Sequence, residues 1–238
     1  YAASPMPLEL LRRGLEKFGP IFSQGYGQTE SGPQICALPR KNHQVLNGTA
    51  EEQKVLSSCG QPSLGVHARV VDEENQDVAP GTIGEIIAQS DSLMVEYWNR
   101  PDETRDVLIE GWLHTGDLGY YDEKGFIYIV DRKKDMILVG GFNVYPRDVE
   151  DILFTHPKVA LAAAVGVPDA KRGETVKAFI QLKPGKTATA EEILAFCKEN
   201  MAGYKRPKIV EFRDALPVSN VGKILRRVLR DEESDKAK

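Results

Sequence analysis

Asp131-Arg132-Lys133-Lys134-Asp135 is the stretch at which the character of the chain changes. Before it, between residues 60 and 130, short β-type runs alternate with turn formers such as Pro80-Gly81, which is typical of antiparallel strands. After it, a strand at 136–139 leads without a linker into alternating helix and strand patterns, and one helix begins near Pro146. We therefore predict an α+β chain with a domain boundary at 131–135.

The region before residue 60 shows one clear element. Apolar residues at three-and-four spacing predict an amphipathic helix over 7–18, which a Gly-Pro pair ends. Residues 21–59 are rich in Gly, Asn and Thr, and we predict loops there.

The composition is that of an ordinary soluble globular protein, with 41% hydrophobic residues, 28% charged residues and a net charge of −4. Because phosphate neutralisation needs clustered Lys and Arg, this charge argues against a nucleic-acid partner. Three cysteines without a CxxC pair indicate reduced thiols in a cytoplasmic protein. No run approaches the ~20 apolar residues of a membrane span. The chain begins with Tyr1 rather than Met, so we expect an amino-terminal portion to be missing.

The first string that could carry chemistry is Tyr26-Gly27-Gln28-Thr29-Glu30-Ser31-Gly32. Its glycines allow the backbone to approach a ligand closely. Thr29 offers a hydroxyl to an anionic oxygen, and Glu30 offers a hard oxygen ligand to Mg²⁺. Taken alone, the string is equally typical of a polar surface turn.

The second string is Gly111-Trp112-Leu113-His114-Thr115-Gly116-Asp117. A carboxylate after a glycine turn, here Asp117, can accept hydrogen bonds from two ribose hydroxyls. The alternative is an ordinary Asp in a tight turn. His114 stands beside apolar residues, and we predict that its role is structural.

Two further strings lie after residue 130. The charged stretch 131–135 is followed by Gly140-Gly141, and paired glycines after a strand suit a narrow passage in which the backbone lies against a ligand. Lys223 ends the string 217–223 on a glycine-containing turn, where a mobile ammonium can neutralise a phosphate and a carboxylate together. Alone, each of these is typical of an exposed surface.

These four strings, in this order, resemble the superfamily of adenylate-forming enzymes, which includes acyl-CoA synthetases, firefly-type luciferases and peptide-synthetase adenylation domains. The resemblance runs from Ala3 to Lys223, and residues 131–137 and 141–146 look most like fatty-acyl-CoA ligases. It implies that residues 1–59 end a large α/β domain and that 60–130 form its β-rich, barrel-like subdomain. It also implies a hinge at 131–135 and a small mobile α+β domain at 136–238.

The resemblance implies a two-step reaction in which a carboxylate attacks the α-phosphate of ATP, and CoA then displaces AMP from the acyl-AMP. The resemblance assigns catalytic roles to Lys223, Thr29 and Glu30, and it implies that Glu30 also holds Mg²⁺. It implies that Gly140 and Gly141 line the CoA passage. The nucleotide-binding positions that it implies are Ala3, Ser4, Pro5, Tyr26, Asp117 and Arg132.

The resemblance places the hinge at Lys134, about which the small domain pivots between the two steps. A hinge needs a backbone that absorbs a φ/ψ change rather than a catalytic side chain.

A Ser/Thr/Gly-rich phosphate loop and most of an acyl pocket are missing, so we expect the 238 residues alone to be inactive. The parent enzyme is expected to use a medium- or long-chain fatty acid with ATP, Mg²⁺ and CoA. Three alternatives remain open: an aryl-acid CoA ligase, a domain that loads a carrier protein, and a non-catalytic fragment. Peripheral membrane contact also stays open for a long-chain substrate, and no oligomeric state is predicted.

Overall fold

The computed structural model describes residues 1–3, 6, 8–32, 34–220 and 222–236. It separates into two compact units, Tyr1–Lys133 and Lys134–Lys238. Both units combine helices with sheets, which confirms the α+β fold class. None of the helices in the described ranges is long and apolar enough to cross a membrane.

The first unit is built on two antiparallel sheets. Its helices are α1 (Leu8–Phe18), α2 (Ala50–Lys54) and α3 (Pro101–Val107). Its strands are β1 (Gln24–Tyr26), β2 (Cys36–Leu38), β3 (Gln61–Pro62), β4 (His67–Val71), β5 (Gly84–Gln89), β6 (Leu108–Ile109), β7 (Trp112–Tyr121) and β8 (Ile127–Arg132). The small sheet has the order β1-β2-β3, and the larger has the order β4-β5-β7-β6 with β8 also paired to β7.

The prediction of loops over 21–59 was wrong for β1, β2 and α2. The two strands are three residues long, too short to show a period of two. The helix has five residues and buries none of them, so it has no apolar stripe to detect. Its start is instead marked by Thr49, whose side chain accepts from the Glu52 N–H in a capping box.

One apolar core joins the two sheets of the first unit. Tyr26 and Cys36 contribute from the small sheet, and Val70 and Ile86 contribute from the large one. Burial of side chains of this size stabilises a fold by ~1.5–3 kcal/mol each. The end of β1 is thereby fixed against the middle of the large sheet, which is where the candidate site forms.

The second unit contains one mixed sheet of five strands. Its strands are β9 (Ile137–Val139), β10 (Phe142–Val144), β11 (Val159–Asp169), β12 (Gly173–Leu182) and β13 (Ile209–Phe212), and its helices are α4 (Pro146–Phe154), α5 (Ala190–Asn200) and α6 (Arg226–Lys236). The order is β10-β9-β12-β11, and β13 pairs with β12 in parallel. The predicted strand at 136–139 and the helix from Pro146 are both present.

Alternation along β11 explains why this sheet carries helices on both faces. Ala162 and Ala164 lie in one core together with Val149 of α4, whereas Ala163 lies in another together with Leu229 of α6. Neighbouring side chains of a strand point to opposite faces, and small alanines allow helices to approach both. The core under α6 also contains Leu216 and Ile224, and Ile224 is bridged to Val218 in a small hairpin that contains Lys223.

Candidate functional site

Asp117 lies at the centre of a buried polar cluster in the first unit. Its Oδ2 accepts hydrogen bonds from the Tyr26 hydroxyl at 2.8 Å and from Gln28 Nε2 at 2.9 Å. Its Oδ1 lies 3.3 Å from Arg132 Nε, and only 8% of the Asp117 side chain is exposed. A carboxylate this deeply buried needs such partners, since burial of an unpaired charge is costly.

A bulge in β7, rather than a tight turn, places Asp117. Glu85 of β5 pairs with Leu118 and Ile87 pairs with His114, so three residues of β7 face one residue of β5. Gly116 lies in this bulge with a φ of +68°, which favours glycine. The expected glycine turn is thus corrected to a bulged strand, a feature that often re-aims a side chain next to a functional site.

Arg132 faces Asp117 directly across the β7–β8 ladder. The Arg132 side chain is 40% exposed, so its guanidinium joins the buried carboxylate to the surface. The pair therefore offers an acceptor and a donor side by side, which suits recognition of neighbouring hydroxyl groups.

Tyr26 supports this pair through its hydroxyl. Burial first, and then the Asp117 charge, raise the pKa of Tyr26 well above its ordinary value, so the phenol stays a proton donor. The ring is 9% exposed and belongs to the core of the unit. Its expected position against an adenine ring stays a prediction.

Thr29 and Glu30 lie in a short 3₁₀ turn, Thr29–Ser31, that follows β1. Thr29 is exposed. Glu30 Oε1 accepts a hydrogen bond from the Tyr97 hydroxyl at 2.8 Å. Burial, followed by this carboxylate, raises the pKa of Tyr97 to about 12, so Tyr97 remains a donor that orients Glu30.

Sequence reasoning missed Gln28 and Tyr97 as site residues. Gln28 Nε2 donates both to Asp117 and to the Thr115 carbonyl at 2.8 Å, and it connects the 3₁₀ turn to the bulge. Its place between Tyr26 and Thr29 was the available signal. Tyr97 is 67 residues from Glu30, and no local pattern links the two positions.

Ala3 is the one expected adenine contact of its group within the described residues, because Ser4 and Pro5 lie outside them. Ala3 is exposed and has a φ of +66°, an uncommon conformation for a residue with a Cβ atom. Its neighbour Ala2 forms a parallel bridge with Gly25, so the start of the chain lies beside β1.

Lys223 of the second unit lies at the end of a small hairpin. The bridge between Val218 and Ile224 closes the hairpin, and the Lys223 N–H donates to Ser219 Oγ at 3.1 Å. Gly222 has a φ of +78°, and Val221 lies outside the described residues. Lys223 is partly exposed, and its expected contact with a ligand stays a prediction.

Gly140 and Gly141 form the two-residue turn between β9 and β10. Val139 pairs with Phe142 across the turn. The glycines have φ values of +58° and +86°, the combination that a tight hairpin of this length demands. The expected narrow passage is therefore an exposed turn, and its contact with CoA stays a prediction.

Lys134 lies in a 3₁₀ turn, Lys133–Asp135, and its side chain is exposed. Its carbonyl accepts from Arg230 Nη1 at 2.8 Å, and the same guanidinium lies 3.2 Å from Asp135 Oδ1. Lys134 and Asp135, the second and third residues of the turn, are therefore both bound to Arg230 of α6.

The structure brings together one subset of the expected site residues, namely Tyr26, Asp117 and Arg132. Gln28 links them to the turn that holds Thr29 and Glu30. Lys134, the glycine pair and Lys223 all lie in the second unit, on the turns described above.

Two family models match this chain. The model of the AMP-binding enzyme matches residues 1–98, and the model of the AMP-binding enzyme C-terminal domain matches residues 148–223. The chain therefore belongs to the AMP-binding enzyme family, and the resemblance to adenylate-forming enzymes is confirmed.

Individual relatives indicate which members of the family this chain is similar to. A long-chain-fatty-acid–CoA ligase of Escherichia coli O157:H7 is 44% identical over 237 residues, which cover 99% of this chain and 40% of that protein. A fatty acid–[acyl-carrier-protein] ligase, ScoC, of Streptomyces coeruleorubidus is 42% identical over 231 residues, which cover 97% and 43%. ATP-bound MatB from Rhodopseudomonas palustris superimposes with a TM-score of 0.87 at 32% identity, covering 100% and 45%. The chain thus spans about two fifths of the length of the curated relatives it matches.

Proposed function

We propose that this chain supplies the ribose-binding carboxylate and the reactive lysine of an ATP-dependent fatty-acyl-CoA ligase. The observation that carries the proposal is the buried Asp117, held by Tyr26, Gln28 and Arg132. Similarity to long-chain-fatty-acid–CoA ligases at 44% identity supports the fatty acid as substrate class. The activity belongs to the whole protein, and we expect these 238 residues alone to be inactive.

The proposed reaction has two balanced steps. A carboxylate oxygen attacks the α-phosphorus of ATP, and the bond to pyrophosphate breaks, which gives acyl-AMP. The CoA thiolate then attacks the acyl carbon, and the bond to AMP breaks. Lys223 stabilises the negative charge that develops on the phosphate in the first step, which is where a fixed charge lowers a barrier.

The nucleotide is proposed to bind through residues of the first unit. Asp117 accepts from the ribose hydroxyls, and Arg132 provides a second ribose contact. Ala3 and Tyr26 are proposed to lie along the adenine, and the two other expected adenine contacts, Ser4 and Pro5, lie outside the described residues. Thr29 contacts the α-phosphate.

Mg²⁺ fits this proposal with Glu30 as one of its ligands. Within the described ranges, no group of three or more His, Cys, Asp or Glu side chains could hold a metal ion. A single carboxylate is sufficient when phosphate oxygens and water complete the octahedron, as Mg²⁺ prefers. The ion would neutralise charge on the phosphates, while Tyr97 keeps Glu30 oriented.

The domain organisation expected from the sequence is part of the same proposal. Residues 1–59 and 60–130 belong to the large domain, and 136–238 form the small one. Rotation about Lys134 exchanges the Lys223 hairpin for the Gly140-Gly141 turn between the two steps. A residue with an exposed side chain suits a pivot because no packing opposes its rotation.

The decisive experiment measures acid-dependent ATP–pyrophosphate exchange by the parent protein across fatty and aryl acids. Lys223→Ala is expected to abolish exchange, whereas thioester formation from supplied acyl-AMP largely survives. Lys186→Ala is the matched control, because Lys186 also follows a glycine of positive φ in a tight turn of the same unit. Equal loss of both half-reactions in Lys223→Ala contradicts the assigned role.

A carrier-protein thiol is the second candidate acceptor, and similarity to the carrier-protein ligase ScoC favours it. The same acyl-AMP can be offered to CoA and to an acyl carrier protein. Transfer to the carrier protein at the higher kcat/KM would replace CoA in the proposal while leaving the adenylation step unchanged.

A further inference from the structure

Glu85 is a buried carboxylate to which the proposed reaction gives no role. It lies in β5 with 9% of its surface exposed. Burial alone would raise the pKa of Glu85, but Lys133, the Gly116 N–H and His114 outweigh burial and lower that pKa below its ordinary value. A buried group that stays ionised is held by specific partners, and these identify what it organises.

The two oxygens of Glu85 face two different segments. Oε1 accepts from the backbone N–H of Gly116 at 3.0 Å. Oε2 accepts from Lys133 Nζ at 3.1 Å and lies 3.4 Å from His114 Nδ1. The structural role expected of His114 stays a prediction.

The Gly116 contact acts on the residue that precedes Asp117. Gly116 has a φ of +68°, and a Cβ placed on it would meet no described atom within 4 Å apart from its two chain neighbours, so no atom packs against that position. Hydrogen bonds hold it instead: Glu85 binds the Gly116 N–H, and the Asp117 N–H donates to Thr115 Oγ1 at 3.1 Å. Glu85 therefore contributes to the backbone geometry that aims Asp117, whose carboxylate is also held directly by Tyr26, Gln28 and Arg132.

The Lys133 contact acts on the residue that precedes Lys134. The Lys133 side chain is 53% exposed, yet its ammonium reaches the Glu85 carboxylate, which is 11% exposed. Lys133, the last residue of the first unit, is thereby bound to Glu85, which also accepts the hydrogen bond from Gly116 in the bulge.

We propose that Glu85 is a positioning residue that couples the carboxylate Asp117 to the segment entering the pivot at Lys134. The proposal rests on the proposed function, in which Asp117 binds ribose and Lys134 is the pivot. Because coupling between two sites is reciprocal, the occupant of the ribose site and the orientation of the pivot segment influence each other through Glu85.

Variants of Glu85 separate its two contacts. Glu85→Gln keeps a carbonyl oxygen for the Gly116 N–H but removes the charge that holds Lys133. Glu85→Ala removes both contacts. Lys133→Met removes only the second contact and leaves the bulge untouched.

The first measurement compares the two half-reactions of the parent protein. Glu85→Gln and Lys133→Met are both expected to change the ratio of adenylation to thioester formation by about fivefold or more, the lower end of typical coupling. The double variant should show no larger change than either single variant. Glu85→Ala should in addition raise the KM for ATP about tenfold, the effect of losing a hydrogen bond to a charged group.

Glu51→Gln and Lys124→Met provide the matched controls. These residues form an exposed ion pair at 3.7 Å in the same unit, and the variants make the same charge changes away from the site. Both are expected to leave the ratio and the KM unchanged. An unchanged ratio in Glu85→Gln and Lys133→Met, with both variants folded, overturns the proposal.

The second measurement does not depend on activity. Trypsin cleaves after Lys133 and Lys134, and cleavage tracks how often that segment opens. In this chain, Glu85→Gln is expected to speed cleavage there about fivefold, whereas Glu51→Gln does not. Equal cleavage rates contradict the anchoring of Lys133. Absence of pyrophosphate exchange in the wild-type parent would instead refute the proposed function, and the cleavage result would still decide the role of Glu85.

Discussion

Glu150→Ala is the substitution whose cost can be worked out most directly from the structure of the second unit. Glu150 lies on α4 with 8% of its side chain exposed. Its Oε1 accepts from the Ala164 N–H at 2.9 Å and from Arg226 Nε at 2.8 Å, and its Oε2 contacts Arg226 Nη2. Arg226 begins α6, three residues after Lys223. The pair of Glu150 and Arg226 therefore connects α4, β11 and the start of α6, which follows the hairpin that contains Lys223.

The expected loss of stability has two parts. Leaving the buried Ala164 N–H without its acceptor costs ~1–3 kcal/mol, and removing one partner of a buried ion pair costs ~3–5 kcal/mol. Both figures include the cost of leaving a buried group without its partner, so they cannot simply be added. Asp135 also remains 3.6 Å from Arg226 Nη1 and offsets part of the loss. We expect a destabilisation of about 3 kcal/mol in Glu150→Ala.

Glu150→Gln is the matched control, because its amide oxygen still accepts from the Ala164 N–H and from Arg226 Nε, and only the acceptor of Arg226 Nη2 is lost. It should cost about 1 kcal/mol, the difference between a charged and a neutral acceptor. The assay is native-state amide hydrogen exchange of the intact chain. Core amides of β11 and β12 report on the second unit, and those of β5 and β7 serve as an internal reference. Opening free energies in β11 and β12 that fall by the same amount in both variants, or by less than about 1 kcal/mol in Glu150→Ala, would refute this reasoning.

Three further predictions concern the pivot, acid stability and the thiols. Lys134→Pro fixes φ at the pivot and should impair one half-reaction of the parent more than the other, whereas Lys134→Ala should leave both intact; equal impairment together with loss of folded protein contradicts this. Burial would raise the pKa of Glu211, but Lys177 and Arg213 outweigh it and lower that pKa from 4.5 to about 2. The stabilisation from Glu211 is present above its unfolded pKa and is lost as the pH falls towards 2, so unfolding midpoints of Glu211→Gln should depend less on pH across that window. The three cysteines are buried, and burial raises the pKa of Cys197 to about 11, so thiol titration at about pH 8 should detect none until the chain unfolds.

Elements with a clear period were predictable from the sequence, and bulges were not. Among the short β-type runs expected between residues 60 and 130, one is present as β4, because alternate apolar residues there pack into one core. β7 was missed because Thr115-Gly116-Asp117 has the composition of a turn. The extra residues only become a bulge when β5 pairs on both sides of them, and pairing across about thirty residues leaves no local pattern.

The residues of the candidate site also divide into those with a local sequence pattern and those without one. Asp117 could be picked from a short string, because a carboxylate after a glycine is a recognisable pattern, whereas Arg132 was assigned only through the family resemblance. Glu85 and Tyr97, which orient Gly116 and Glu30, could not be found in this way. Their partners are set by the three-dimensional fold, and each one taken alone is an ordinary strand or loop residue.

The two charges that the proposed reaction needs differ in exposure, and the difference follows from their proposed tasks. Asp117 is 8% exposed and is held on both oxygens, so its geometry is set before a ligand arrives. Preorganised acceptors lose little entropy on binding, which favours recognition of a ribose that stays in place through both steps. Lys223 is partly exposed at the end of a hairpin whose backbone bonds are local. A charge required in only one of two steps must leave the site between them, and a position on a partly exposed hairpin allows that. We therefore expect substitutions of the residues that hold Asp117, namely Tyr26, Gln28 and Arg132, to weaken both half-reactions. Substitution of Lys223 on its hairpin is expected to weaken adenylation alone.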